Sequence, residues 1–172
     1  MKKVGIITIY DEDNYGNRLQ NYAVQEILVS LGFDVETIKN VNIIEEFNLL
    51  EEVKKVLPER RERFLDFNNS NMKINDEVII HDTVPKNFHE KYDYFVVGSD
   101  QIWNHEFPER FSNFSFAEFA PKEKRIAFSA SFGIEDIEEK NFKKYEHLNG
   151  MKAISVRESA GKRLVKDIVG RE

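Results

Sequence analysis

The sequence predicts an α/β fold: a doubly wound, mostly parallel sheet with helices on both faces, of the Rossmann-like kind. Three observations predict it. Short runs of β-branched and aromatic residues recur along the chain, too continuously apolar for strands with one wet face. Segments of helical spacing alternate with them, the pattern of βαβ units. Each run also ends in a polar loop carrying Gly, Ser, Asp or Arg, and such sheets hold ligands outside the carboxyl ends of their strands.

From Lys3 to Tyr10 the residues Val4, Ile6, Ile7 and Ile9 give a central strand. Asp11 to Asn17 is rich in turn formers. Leu19, Tyr22, Ala23, Ile27 and Leu31 then recur at helical spacing, and Gly32 stands where a helix C-cap belongs. Asp34 to Ile38 alternates as a second strand and completes one βαβ unit. Between Val41 and Asn71 the chain is helix-prone but irregular, with Ile44, Phe47, Leu50, Val53 and Leu57 ahead of Pro58 and the charged run Glu59 to Arg63. Val78, Ile79 and Ile80 suit an edge strand, and Pro85 ends any regular element. Further strands follow at Tyr94–Val97, Arg125–Ser129 and Ala153–Val156, with helices expected at Glu138–Leu148 and Ser159–Val169.

A length of 172 residues suits a single domain spanning 1–172. Lys plus Arg number 25 against 31 Asp plus Glu, and this net charge of −6, without a basic block, argues against nucleic acid as a partner. There is no cysteine, so thiolate metal sites and cysteine nucleophiles are excluded. The histidines His81, His89, His105 and His147 lack metal-binding spacing, and no metal is expected. Met1-Lys2-Lys3 and the apolar run after it resemble a signal peptide superficially, but acidic Asp11, Glu12 and Asp13 follow and no cleavage site is present. No run approaches the roughly 18 apolar residues of a membrane span, which makes a cytoplasmic location the default. The dinucleotide fingerprint, the P-loop and the G-x-S-x-G elbow are all missing.

Candidate chemistry therefore rests on the loops. The first holds Asn14, Asn17 and Gln20 at the start of a helix, where free N–H groups favour an anion or a hydroxyl-rich ligand; the plain alternative is an N-cap. The second, Gly98-Ser99-Asp100-Gln101-Ile102-Trp103-Asn104, is the most informative. Asp100 can accept a proton from a sugar hydroxyl, Gln101 and Asn104 can donate and accept, and Trp103 offers either a face for a sugar ring or a core anchor. Ser99 adds a hydroxyl. In the third loop Ser131 can reach the crevice. In the fourth, Arg157 suits a carboxylate or phosphate, or else an ion pair with Glu158.

Asn14-Tyr15-Gly16-Asn17, Leu19-Gln20-Asn21-Tyr22-Ala23, Val97 to Asn104, Arg125-Ile126-Ala127, Ala130 to Gly133 and Ile154 to Glu158 together resemble the polysaccharide pyruvyl transferase family. Their order covers almost the whole chain. His105 departs from the proline expected after the tryptophan-asparagine pair.

The resemblance implies the N-terminal domain of a GT-B-like fold, with a C-terminal domain, absent from these residues, closing the other side of a cleft. It implies transfer of pyruvate from phosphoenolpyruvate, as donor substrate and without a cofactor, to a sugar or polysaccharide precursor as a ketal. It further implies Asp100 as base or acceptor anchor, Asn14, Asn17 and Gln101 as hydroxyl contacts, Trp103 as ring platform or loop anchor, and Arg157 as anion contact. Two rival expectations remain: a GT-B glycosyltransferase using a nucleotide sugar, and a non-catalytic sugar-binding remnant.

Overall fold

In the computed structural model, which describes residues 1–11, 14–41, 58–108 and 110–171, the expected strands form one parallel five-stranded sheet. Its members are β1 (Lys3–Ile7), β2 (Asp34–Thr37), β5 (Tyr94–Val97), β6 (Arg125–Ala130) and β7 (Ala153–Val156), ordered β2-β1-β5-β6-β7. Two short strands, β3 (Asn40–Val41) and β4 (Ile79–Ile80), pair in parallel separately. Helix α1 (Tyr15–Ser30) connects β1 to β2, α2 (Pro58–Asn71) lies beside it, and α3 (Ser159–Val169) follows β7. The path steps one way from β1 to β2 and the other way from β5 to β7, so right-handed crossovers place the connections on opposite faces.

Side-chain alternation sorts the core accordingly. Val4, Ile6 and Val96 point to one face and pack with Val35 and with Val24 of α1. Ile7, Phe95, Val97 and Ala127 point to the other, where Leu164 and Val165 of α3 and a cluster of aromatic rings cover them. Ile6, Ile7 and Phe95 are fully buried, each burial contributing roughly 2 kcal/mol. No helix among the described residues is long and apolar enough to cross a membrane.

Three expectations need correction. First, β1 stops at Ile7 instead of Tyr10, because Thr8 and Ile9 turn their hydrogen-bonding groups to a carboxylate. Second, α1 forms where its spacing predicts, yet Leu19 is 55% exposed and Ile27 and Leu31 are exposed as well. The buried face carries Asn17, Arg18, Asn21, Val24 and Gln25. Each polar member has a partner to justify burial: Thr37 donates to Asn21 Oδ1 at 2.9 Å, and Gln25 binds Asn71 O and Lys73 N, both at 2.8 Å.

The third correction concerns Glu138–Leu148, expected as an α-helix, which folds instead as a succession of 3₁₀ turns over Glu139–Gly150. Phe142, Tyr145 and Leu148 recur every three residues, so they align on a turn of 3.0 residues but drift around one of 3.6. Tyr145 and Leu148 are fully buried and Phe142 packs beside them. Ile44, Phe47, Leu50, Val53 and Leu57, and with them Glu12 and Asp13, lie outside the described residues.

Candidate functional site

Because the sheet strands are parallel, β1, β5, β6 and β7 all end on one edge, and the loops stitch together there. Gly98 N donates to Ile7 O at 2.9 Å, Ser131 N to Asp100 O at 2.8 Å, Trp103 N to Ser131 O at 3.1 Å and Arg157 N to Ala130 O at 3.1 Å. Phe132 N donates to Glu158 Oε1 at 2.9 Å. The edge is therefore one connected surface.

Asp100 sits at its centre, 8% exposed. Oδ2 accepts from the Thr8 hydroxyl, from Ile9 N at 2.8 Å, from Asn17 Nδ2 at 3.3 Å and from Gln20 Nε2 at 3.4 Å. Oδ1 is buried without a hydrogen-bond partner. Burial pushes the carboxyl above the ordinary carboxylate range. The Thr8 and Ile9 hydrogen bonds, the nearby Ile102 amide and the Arg157 charge pull the other way and do not overcome it. An aspartate with raised proton affinity beside a loop edge is equipped for acid–base work.

The other expected residues divide by placement. Asn14 is the N-cap of α1, its side chain accepting from Asn17 N at 3.0 Å, and it stands exposed at the rim. Asn17 and Gln20 bind Asp100 directly, and Gln20 Oε1 accepts from Ser99 N at 3.1 Å. Gln101 is exposed, its side chain lying over Gly133, where a Cβ would come within 2.6 Å of it. Arg157 is half-exposed, and its Nε lies 3.9 Å from Glu158 Oε2, a contact too long and too wet to hold it.

Trp103, Asn104 and Ser131 are buried instead. Trp103 has no exposure: its indole N–H donates to Ser115 O at 2.9 Å and its ring stacks on Phe116, with centroids 5.7 Å apart. Of its two expected roles, the structure places it as the loop anchor, with no free face for a sugar ring. Asn104 Oδ1 accepts from Glu106 N at 2.9 Å, and Ser131 Oγ from Gly133 N at 3.0 Å, so both shape turns.

Sequence reasoning missed Thr8, Arg18 and Glu158. Thr8 carried a signal, as the one polar residue in an otherwise apolar run. Arg18 is fully buried, lies over the Tyr10 ring at 4.6 Å and donates to Asn17 Oδ1. His105 braces the tryptophan. Tyr145 Oη donates to Trp103 O at 2.9 Å, so it accepts from His105 Nδ1 at 2.8 Å, while His105 Nε2 faces Asn141 Nδ2 at 3.3 Å. This fixes the neutral tautomer, and burial, aided by Lys144, holds the imidazole below its ordinary range.

Beside the edge a cleft of about 430 Å³ runs along β7 and α3, lined toward the edge by Arg157, Glu158 and Lys162 and at its far end by Arg171, whose guanidinium is held by the carbonyls of Leu148, Met151 and Lys152. The edge thus joins a buried carboxyl, a row of amide groups and the cations Arg157 and Lys162, a set matched to hydroxyl-bearing and anionic ligands. No curated protein and no solved structure matches the chain. The model of the family described as Polysaccharide pyruvyl transferase matches residues 14–170, a span that takes in Asn17, Gln20, the whole Gly98–Asn104 loop and Arg157. With that match over most of its length, the chain belongs to the polysaccharide pyruvyl transferase family.

Proposed function

We propose that this domain forms one wall of the active site of an enzyme that transfers pyruvate from phosphoenolpyruvate to two hydroxyls of a sugar, forming a cyclic ketal. The observation that carries the reading is Asp100: a buried carboxyl of raised proton affinity, held by four donors on the edge where Arg157 presents a half-exposed cation. A second, GT-B-like domain is the other wall.

The reaction balances as follows. Carbon 3 of the enol gains a proton, a sugar hydroxyl attacks carbon 2, and the carbon–oxygen bond to phosphate breaks. A second hydroxyl then closes the ketal. Of the two hydroxyl protons, one is matched by the proton on carbon 3 and the other leaves with phosphate. Asp100 receives the proton of the attacking hydroxyl. Arg157 pairs with the carboxylate or phosphate of the donor. Asn14 and Gln101, at the rim, contact sugar hydroxyls. Because Asp100 Oδ1 is enclosed, a hydroxyl reaches it only when the Ser99–Asn104 loop yields.

Thermal unfolding in the presence of candidate donors separates this from a nucleotide-sugar enzyme. At about 10 mM, phosphoenolpyruvate bound with a Kd of about 1 mM stabilises by roughly 1.4 kcal/mol, a rise in Tm of about 3 °C. Nucleotide sugars should leave Tm unchanged. A rise with nucleotide sugars alone would establish the glycosyltransferase reading, and no rise with either would favour a non-catalytic role.

A further inference from the structure

The donors around Asp100 cannot reverse their polarity. Asn17 Oδ1 accepts from Asp11 N at 3.3 Å and from Arg18, which turns the Asn17 amide N–H₂ toward Asp100. Gln20 Oε1 accepts from Ser99 N at 3.1 Å, which turns its N–H₂ toward Thr8 Oγ1 at 2.8 Å and Asp100 Oδ2 at 3.4 Å. Thr8 Oγ1 accepts that hydrogen bond, so its own proton points to Asp100 Oδ2. Ile9 N donates in any case. A proton on Oδ2 would face four other protons. Oδ1 accepts no hydrogen bond and, with the Ile102 amide the other donor near the carboxyl, remains the oxygen on which a proton can reside.

We propose that Thr8 is a positioning residue that saturates Asp100 Oδ2 and so confines the exchangeable proton of Asp100 to Oδ1. The proposal rests on the acid–base role given to Asp100 above. Thr8 acts through Asp100 and touches no substrate. Its place just past the end of β1, where the strand gives way to the edge, lets one side chain bind both the carboxylate and the α1 amide that orients it. The charged groups facing the carboxyl are Arg157 from the end of β7 and, through Asn17, Arg18 of α1. The contacts from the loops that follow β1 and β6 are Thr8, Ile9 and Ser131, all uncharged.

The test is a carbon-13 NMR titration of the chain labelled at aspartate Cγ, following Asp100 in wild type, Thr8→Val and Thr8→Ser. Loss of a hydroxyl bonded to the ionised form should raise the Asp100 midpoint by about one pH unit in Thr8→Val. Thr8→Ser keeps the hydroxyl and should return it to within about 0.3 unit of wild type. Should Thr8→Val not fold, Thr8→Ala carries the same comparison. Coincident midpoints in all variants, or a serine variant that titrates with the valine one, would overturn the proposal; a merely structural threonine changes stability and leaves the midpoint in place. The shift is independent of turnover. An enzyme that fails to transfer pyruvate would refute the reading of function and leave this result standing.

Discussion

Gly98→Ala is expected to cost at least about 3 kcal/mol and to leave little folded protein at 37 °C. A Cβ at this position would lie 2.4 Å from Phe128 O and 3.1 Å from Ala130 N. Both are backbone atoms and cannot swing away. They come so close because β6 slips register between Ala127 and Ala130 and Ser129 takes a φ of 51° there. Gly98 itself has a φ of +117°, a conformation open to glycine alone. Gly32→Ala separates the two causes. Gly32 has a φ of +85° with nothing near its missing Cβ, so alanine there should cost only about 1 kcal/mol. Urea unfolding of both variants makes the comparison, and a Gly98→Ala loss no larger than that of Gly32→Ala would mean that β6 can retreat.

Asp100→Asn is expected to lower the turnover of a pyruvyl transferase carrying this domain by about 10²-fold or more, with stability at pH 7 unchanged or slightly raised. Asparagine keeps an oxygen for Thr8, Ile9, Asn17 and Gln20 but removes the group that takes a proton. Since burial holds the folded-state carboxyl above the ordinary value of 3.8, folding favours its protonated form. That contribution is full below the unfolded-state value and is lost as pH rises through the folded-state value. Asparagine does not ionise, so the stability difference opens over that window in favour of the variant. Asp100→Ala behaves differently, because it leaves four donors without their acceptor, those of Thr8 and Asn17 buried and those of Ile9 and Gln20 half-buried, and should cost several kcal/mol. Steady-state kinetics with denaturation at pH 4 and pH 7 would check both parts, and wild-type turnover in Asp100→Asn would assign the residue to structure.

How far the sequence carried depended on whether a signal was local. β5 and β7 run over the residues their apolar runs predict, and β6 extends one residue further; β5, in the middle of the sheet, declares itself by its continuous apolar composition, and β7, at the edge with Ala153 and Ser155 exposed, by alternation. The edge that gathers the loops followed from the parallel order. The orientation of α1 did not, since Asn21 and Gln25 are buried by partners at Thr37, Asn71 and Lys73, remote in sequence. Trp103 looked equally suited to a sugar or to the core; what decided it was Ser115 and Phe116, which the fold brings alongside. Thr8 was visible only as an oddity in an apolar run. Its meaning needed the hydrogen bonds to Gln20 and Asp100, which cross from β1 to α1 and to the loop after β5.

The central claim is that the edge around Asp100 and Arg157 is the ligand-binding wall. Nitrogen-15 NMR of the chain titrated with millimolar phosphoenolpyruvate tests it most directly. The account predicts fast-exchange shifts, with a Kd of about 1 mM, concentrated on the amides of Ser99, Gln101, Arg157, Glu158 and Ser159 and absent from Arg157→Ala. Shifts centred on the opposite edge of the sheet, at Arg125, Lys152 and their neighbours, and unaffected by Arg157→Ala, would contradict it.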